Sequence, residues 1–362
     1  MAIAVLAWLC TAIACGGLAV QLLNMRFYPR LRPRTLPERS IVACVAMRNE
    51  EENARACIDG LAAQPEIGAI LVCDDGSCDR TLPLLMERAA RDSRIFVVPL
   101  PDSKNASKSA ALAVAGAYAA SLPYRYLLFT DADVRLERGA AGALLTRLHE
   151  ADATALTAWP RVRGEALADV LLAPLVTLLL LQALPMWRSR AGDPRFVAGN
   201  GQLFLVDAHA YRHCGGHAAI TDAVEDVALA RNLARCGYAV AFASAASIAG
   251  TRGYGSLRAA IGGLGRSLYA GGGVAACAAF ALWQATAFAL PYVLLPFVPA
   301  IAACAIAAGI VARVVLALRM GESPAGVVLA PAAAAVATAG ALGVALAGAR
   351  GRLTWRGRTI RR

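Results

Sequence analysis

Charged side chains recur directly after short apolar segments in the first half of the chain. Arg48 and Glu50 follow the first segment, Asp74 and Asp75 the second, Lys104 and Lys108 the third, and Asp131 and Asp133 the fourth. Carboxylates that gather at one place repel one another, and nearby lysines and a divalent metal would relieve that repulsion. These residue types therefore favour a charged site that holds a metal ion.

The elements between these residues must bring them together. Apolar runs of strand length cover 41–47, 69–73, 95–98 and 126–130, and helical stretches cover 50–63, 79–92, 107–121 and 138–150. Strand–helix alternation at this spacing predicts an α/β fold with a mostly parallel sheet and helices on both faces. Ligands of such sheets bind at the carboxyl ends of the strands, where the charged residues stand.

Each acidic pair also has a structural explanation. Asp and Gly satisfy turn geometry by themselves, so Asp74 and Asp75 could form only a turn. Asp131 and Asp133 could cap the helix that follows. Their joint occurrence at successive strand ends favours a functional site.

Taken in order, the motifs resemble those of the family-2 inverting glycosyltransferases of the GT-A fold. The matching pieces are R-N-E-E, D-D-G-S-x-D-x-T, S-K-S-A-A-L, T-D-A-D, G-G-H-A-A-I-T, V-E-D-V-A-L-A-R and a terminal W-R-G-R. They cover about residues 40–270 and the tail. Within the family, F-V-A-G-N-G-Q at 196–202 and the W-R-G-R ending resemble bacterial carotenoid- and hopanoid-associated lipid glycosyltransferases.

The resemblance implies a role for each motif. Arg48, Glu50, Asp74, Asp75, Lys108 and Asp131 would bind the nucleotide-sugar, with Asp75 rather than Asp74 on the uracil or ribose. Asp133 and Asp131 would bind Mn²⁺ or Mg²⁺, hard cations that prefer carboxylate and phosphate oxygens. Gly199, Asn200, Gly201, Gln202, Glu225 and Arg266 would line the acceptor and diphosphate region. Lys108 follows a serine where the family has a glycine.

Asp226 would be the catalytic base, because direct inversion needs one carboxylate to deprotonate the acceptor. The 222–225 segment is also a capping-box pattern that opens a helix over 224–236. A helix N-terminus lowers the pKa of a carboxyl group, whereas burial raises it.

The segment that follows the base favours a single sugar transfer. Processive synthases of the family carry Q-x-x-R-W, and residues 263–267 here are G-L-G-R-S, in which only Arg266 matches. A single transfer favours a membrane lipid as the acceptor, and the resemblance implies a nucleotide-sugar donor, which we expect to be a UDP-hexose. The alternatives are a polysaccharide-extending synthase, a nucleotidyltransferase, or a non-catalytic membrane scaffold that retains the fold.

The composition indicates a membrane protein. Of the 362 residues, 58% are hydrophobic, and uncharged stretches cover 2–23, 271–312 and 327–349. Five arginines follow the first stretch and six lie in the tail, so the positive-inside rule places both the central domain and the tail in the cytoplasm. We expect a multi-pass protein of the inner (plasma) membrane. The net charge of +11 is mostly juxtamembrane, which favours anionic lipid headgroups over nucleic acid as its partner.

The predicted domains follow from these stretches. They are an anchor at 1–24, a glycosyltransferase domain at 40–250, an interfacial amphipathic segment at 251–284, two crossings within 285–349 (one within 285–312, the other at 327–349) and a basic tail at 350–362. Inside the domain, 163–187 is either an interfacial helix that leads to an apolar acceptor or a helix that covers the sheet.

Histidines and cysteines give no further metal motif. The ten cysteines lack zinc spacing, and we expect them to be reduced and mostly buried. His209, His213 and His217 recur every four residues, but Gly215 and Gly216 would break a helix that aligned them.

Overall fold

The computed structural model describes residues 1–101, 107–190, 192–220, 224–355 and 358–359. The chain forms two compact units. The sheet unit comprises residues 27–161 and 186–252. The apolar unit comprises residues 1–26, 162–185 and 253–362.

Helices and strands alternate through the first half of the chain, and helices dominate the last third. The helices are α1 (Ala2–Asn24), α2 (Ala54–Ala62), α3 (Thr81–Ala89), α4 (Lys108–Ser121), α5 (Ala140–Glu150), α6 (Leu167–Leu172), α7 (Pro174–Ala183), α8 (Met186–Arg190), α9 (Ala208–His213), α10 (Glu225–Arg235), α11 (Leu257–Gln284), α12 (Leu290–Leu294), α13 (Pro299–Met320), α14 (Ala325–Val328) and α15 (Ala330–Ala349). The strands are β1 (Ile41–Met47), β2 (Ile67–Asp75), β3 (Ile95–Leu100), β4 (Tyr126–Thr130), β5 (Val134–Leu136), β6 (Ala155–Trp159), β7 (Arg161–Val162), β8 (Leu203–Asp207), β9 (Val240–Ser244), β10 (Ala249–Thr251), β11 (Thr354–Trp355) and β12 (Arg358–Thr359).

The main sheet of the sheet unit has, among the described residues, seven strands in the order β3-β2-β1-β4-β8-β6-β9. Strands β1 to β4 pair in parallel, and so do β6 and β9. β8 runs antiparallel to its neighbours β4 and β6. This order brings the carboxyl ends of β1, β2 and β4 to one edge of the sheet.

Two hydrophobic cores cover the two faces of this sheet. Side chains alternate along β1, with Ile41, Ala43 and Val45 in one core and Val42 and Cys44 in the other. This period-2 alternation is that of a strand buried on both sides. The predicted α/β fold, with its mostly parallel sheet and helices on both faces, is confirmed.

The apolar unit contains the long hydrophobic helices. Within the part of the chain that the structure describes, four segments are long and apolar enough to cross a membrane, by length and composition: Ala2–Asn24, Leu257–Leu294, Pro299–Met320 and Ala330–Ala349. Within 285–312, where one crossing is predicted, the helix breaks at residues 295–298, so the long helix there is α13. The number of crossings stays a prediction.

Residues 167–183 form two short helices, α6 and α7, that belong to the apolar unit rather than to the sheet. Asp169 is buried there and accepts hydrogen bonds from the backbone N–H groups of Tyr254 at 2.5 Å and Gly255 at 3.3 Å. These bonds offset the cost of burying a carboxylate. A role of 163–187 at the membrane interface stays a prediction.

Candidate functional site

The loops after β1 and β2 are joined by hydrogen bonds. Arg48 Nη1 donates to the backbone oxygen of Asp75 at 2.8 Å and lies 3.8 Å from Asp75 Oδ2. The Asn49 N–H donates to Ser77 Oγ at 3.0 Å, and the Cys78 N–H donates to Asn49 Oδ1 at 2.9 Å. Asn49 has a φ of 53°, a left-handed conformation that asparagine tolerates better than most residues. The two predicted nucleotide-binding motifs are therefore neighbours.

Asp74 and Asp75 are the last residues of β2, and both are buried. Asp74 Oδ2 accepts the Ser77 N–H at 3.1 Å, and Gly76 has a φ of 67°. Asp74 therefore does support a turn. Its other oxygen, Oδ1, is buried and accepts no hydrogen bond from any described residue, which leaves it open to a polar ligand.

Asp131 and Asp133 follow β4 and do not cap a helix. Strand β5 comes next, and α5 begins only after Gly139, which occupies the N-cap position. The capping alternative is therefore wrong. The two carboxyl groups stand at the sheet edge where the parallel-sheet rule places a ligand.

Carboxylates crowd around Asp133. Burial and repulsion from the carboxylates of Asp131 and Glu50 raise the pKa of Asp133 to about 6, although Arg135 opposes the shift. A positive charge placed nearby would stabilise the ionised form of such a carboxyl group. The oxygen donors of Asp131 and Asp133 suit a hard divalent cation, so these residues fit Mn²⁺ or Mg²⁺.

Lys108 links this cluster to the segment that contains the predicted base. Its ammonium group lies 2.7 Å from Asp131 Oδ1 and 2.8 Å from Glu225 Oε1, and its side chain is 29% exposed. Burial lowers the pKa of Lys108, but the two carboxylates outweigh that effect and hold it above its ordinary value. Lys108 is the first residue of α4, and Ser107 caps that helix by accepting the Ala110 N–H.

Asp226 lies in the first turn of α10 and is held by two backbone groups. Its Oδ2 accepts the Gly201 N–H at 2.7 Å, and its Oδ1 accepts the Val227 N–H at 2.8 Å. Burial and the neighbouring Glu225 raise its pKa to about 6, against the opposing effect of Lys108 and these two bonds. Burial thus outweighs the helix N-terminus, and the carboxyl group can take up a proton near neutral pH.

The 199–202 segment packs directly on α10. A Cβ on Gly199 would collide with the carbonyl of Asp226, so only glycine fits there. Asn200 uses its side chain on protein groups, donating to the Ala158 oxygen at 3.2 Å, and its N–H donates to Thr157 Oγ1 at 2.8 Å. The Gln202 backbone oxygen accepts the Thr130 hydroxyl at 2.8 Å. These bonds fix the Gly201 N–H that holds Asp226.

A small pocket beside Asp226 combines predicted site residues with residues that the sequence did not single out. Its lining comprises Leu112, Phe129, Thr130, Gly201, Phe204, His217, Glu225, Asp226 and Leu229. His217 is buried, its Nδ1 lies 3.0 Å from the Tyr211 hydroxyl, and burial and Lys108 lower its pKa to about 3. The imidazole is therefore neutral at neutral pH. The sequence feature that could have identified His217 as a site residue is the Gly-Gly-His motif that contains it.

Several predicted residues lie elsewhere. Arg266 is on α11 in the apolar unit. Lys104, Asp222 and the Arg356–Gly357 part of the W-R-G-R ending lie outside the described residues. In the sheet unit, Arg48 and Asp75 are in contact, and Asp131, Lys108 and Glu225 form a second group beside Asp226.

Comparisons with known proteins give a family match and a fold match. Residues 42–210 match the family model described as Glycosyl transferase family 2. The chain is similar to the structure of mannosyltransferase PcManGT from Pyrobaculum calidifontis in complex with GDP-Man and Mn²⁺, with a TM-score of 0.58 and 17% identity, over 97% of this chain and 99% of that one. S. aureus TarS 1–349 gives a TM-score of 0.43 and 14% identity, over 86% of this chain and 92% of that one. No curated protein matches the chain.

Proposed function

We propose that this chain is an inverting glycosyltransferase of family 2 that moves a sugar from a nucleotide-sugar, a UDP-hexose, to a membrane lipid. One observation carries the proposal: Lys108 joins the Asp131 carboxylate at the sheet edge to Glu225, next to the half-buried Asp226. Asp131, which is predicted to bind the donor, and Asp226, the predicted base with a raised pKa, would therefore belong to one site. The family match and the fold support a glycosyltransferase that takes its sugar from a nucleotide-sugar donor.

The donor would bind along the ends of β1, β2 and β4. Asp75, positioned by Arg48, would hold the nucleoside, and Asp74 Oδ1 is open to the same ligand. Asp133 and Asp131 would hold Mn²⁺ or Mg²⁺, which when bound stabilises the charge of the departing diphosphate. Lys108, whose ammonium group lies 2.7 Å from Asp131, would add positive charge to the same region.

Asp226 would be the base. Its carboxylate takes the proton of the acceptor hydroxyl, whose oxygen forms a bond to the anomeric carbon as the bond from that carbon to the diphosphate breaks. The acceptor enters opposite the leaving group, so the anomeric configuration inverts. The Gly201 and Val227 N–H groups orient the carboxylate, and the raised pKa makes it a more effective base than an exposed aspartate.

A lipid acceptor is supported by the apolar unit. Its four long hydrophobic helices would hold the enzyme where lipids are available. The missing Q-x-x-R-W motif favours one transfer over chain extension. The nucleotide base needs a direct test, because the P. calidifontis structure holds GDP-Man.

The test is nucleotide release from a panel of UDP- and GDP-sugars by detergent-purified protein, with lipid extract as acceptor and with or without Mn²⁺. We expect metal-dependent release from one UDP-sugar. Asp133→Ala and Asp226→Asn should each lower the rate about 10²–10⁴-fold. Glu87→Gln, which changes an exposed carboxyl on α3, is the matched control and should keep the wild-type rate.

Three outcomes would contradict the proposal in different ways. Release from a GDP-sugar alone would overturn the donor assignment. A polymeric product would favour the synthase. No release and no binding of nucleotide or metal would favour a scaffold that retains the fold.

A further inference from the structure

One histidine and two cysteines meet in the sheet unit, away from the acidic cluster. The metal-ligating atoms of His213, Cys214 and Cys236 all lie within 4.8 Å of one another. The sequence gives no zinc spacing, because Cys236 follows Cys214 only after the whole of α10. The fold therefore brings together three potential metal ligands that the spacing of the cysteines in the sequence does not reveal.

All three residues stand at the carboxyl ends of helices. His213 is the last residue of α9, Cys214 is its C-cap, and Cys236 is the C-cap of α10. The carboxyl end of a helix carries partial negative charge from its free carbonyl groups, and it favours a cation nearby. Cys214 is buried, Cys236 is half-buried and His213 is exposed, so an ion could enter from solvent on the histidine side.

Neighbouring residues hold these groups in place. The Tyr238 hydroxyl lies 3.1 Å from Nδ1 of His213, which leaves Nε2 as the nitrogen for a metal. Such a second hydrogen bond orients most metal-binding histidines. Asn232 Nδ2 donates to the Cys214 backbone oxygen at 2.7 Å. The exposed His209 stacks on His213, with ring centroids 6.3 Å apart.

We propose that His213, Cys214 and Cys236 bind a Zn²⁺ ion, with water as the fourth ligand. Two thiolates and one imidazole form a donor set that zinc prefers over the hard cations of carboxylate sites. On binding, each thiol loses its proton to solvent and forms a sulfur–zinc bond, with no change of oxidation state.

The position of the site gives it a structural role. Cys214 and Cys236 bracket residues 215–235, the segment that contains His217, Glu225 and Asp226. An ion bound at both ends of this segment would close it into a loop and restrict its unfolding. Zinc would thus hold the helix that carries the predicted base without taking part in the transfer.

The experiment measures metal content and affinity in the full-length, detergent-purified protein after its affinity tag is removed. Elemental analysis should find one zinc per chain. After treatment with a chelator, titration against a zinc-binding dye gives the affinity. Cys236→Ser and His213→Ala should abolish stoichiometric binding, and Tyr238→Phe should weaken it about 10-fold or more. Cys304→Ser, which changes an exposed cysteine of the apolar unit, should leave binding unchanged.

Replacing zinc with Co²⁺ gives a spectroscopic signal that cysteines with only a packing role would not produce. Thiolate-bound Co²⁺ should show charge-transfer absorption that is lost in Cys214→Ser. Circular dichroism identifies any variant that fails to fold, and the wild-type cobalt spectrum decides the question in that case. Zinc content near zero after reconstitution, with no cobalt–thiolate absorption, would refute the proposal. So would a Cys214–Cys236 disulfide found by mass spectrometry of the unreduced, freshly purified protein.

Discussion

Among single residues, Lys108 connects the acidic residues after β4 to the segment that contains the predicted base. It contacts Asp131 and Glu225, and its charge also acts on Asp226 and His217. A lysine is a compact point charge whose three donors can serve several acceptors at once. Its removal would leave Asp131 and Glu225 without their shared counter-charge. Lys108 is therefore the counter-charge that Asp131 and Glu225 share.

The pH dependence of the reaction should follow Asp226. A base must be unprotonated, and this carboxyl group retains its proton up to a pKa of about 6. At saturating metal, kcat/KM should therefore fall as the pH decreases through about 6, rather than near 4 as for an ordinary aspartate. Initial rates measured between about pH 4.5 and about pH 8 would check this.

Two neighbouring substitutions should move that pH profile in opposite directions. Glu225 raises the pKa of Asp226 and Lys108 lowers it. Glu225→Gln should therefore shift the acidic limb to lower pH, and Lys108→Met to higher pH, whatever either change does to the maximal rate. If neither variant moved the limb, the titrating group would not be Asp226.

At the scale of elements, the close packing of the 199–202 segment on α10 determines where the base points. Gly199→Ala would push the added methyl group against the Asp226 carbonyl and displace the Gly201 N–H from the carboxylate. We expect a loss of about 1–3 kcal/mol in the free energy of unfolding, together with a loss of activity. Thermal unfolding and nucleotide release would measure both.

Gly343→Ala is the matched control, because nothing lies within 4 Å of a Cβ built there. It lies inside α15, where alanine is the better helix former, so stability should be unchanged or slightly higher. Equal behaviour of the two variants would mean that the contact between Gly199 and Asp226 does not constrain the site.

Local patterns predicted the elements that contain the donor motifs, but not the contacts that join them. Strands β1 and β4 have the predicted bounds, because each is an apolar run that ends at a charged residue. β2 extends two residues further at each end, because Asp74 and Asp75 still pair with β3 and Ile67 pairs with Ile41 of β1. The link from Lys108 to Glu225 spans more than a hundred residues, and the meeting of Cys214 with Cys236 depends on how α10 packs. Neither contact produces a periodic pattern in the sequence from which it could be predicted.

At the scale of the whole molecule, the distribution of arginines predicts how many times the chain crosses the membrane after the sheet unit. The first span is followed by arginines, and the tail is also rich in arginine, so the positive-inside rule requires an even number of crossings between them. Three long apolar segments follow the sheet unit. Leu257–Leu294 is the one we expect not to cross, because it contains Arg258 and Arg266 and is kinked at Gly273. We therefore expect α13 and α15 to cross and the 321–324 loop to lie outside.

Cysteine labelling in intact cells would decide between two and three crossings. Ser323 and Arg352 are exposed, and each would be replaced by cysteine in a chain whose exposed Cys78 and Cys304 are changed to serine. With two crossings, a membrane-impermeant maleimide should label position 323 in intact cells and position 352 only after lysis. If all three segments cross, the two results exchange, because each position moves to the opposite side. Arg39→Cys, in the basic stretch after α1, should be protected in both cases, and its labelling in intact cells would instead reverse the predicted orientation of the sheet unit.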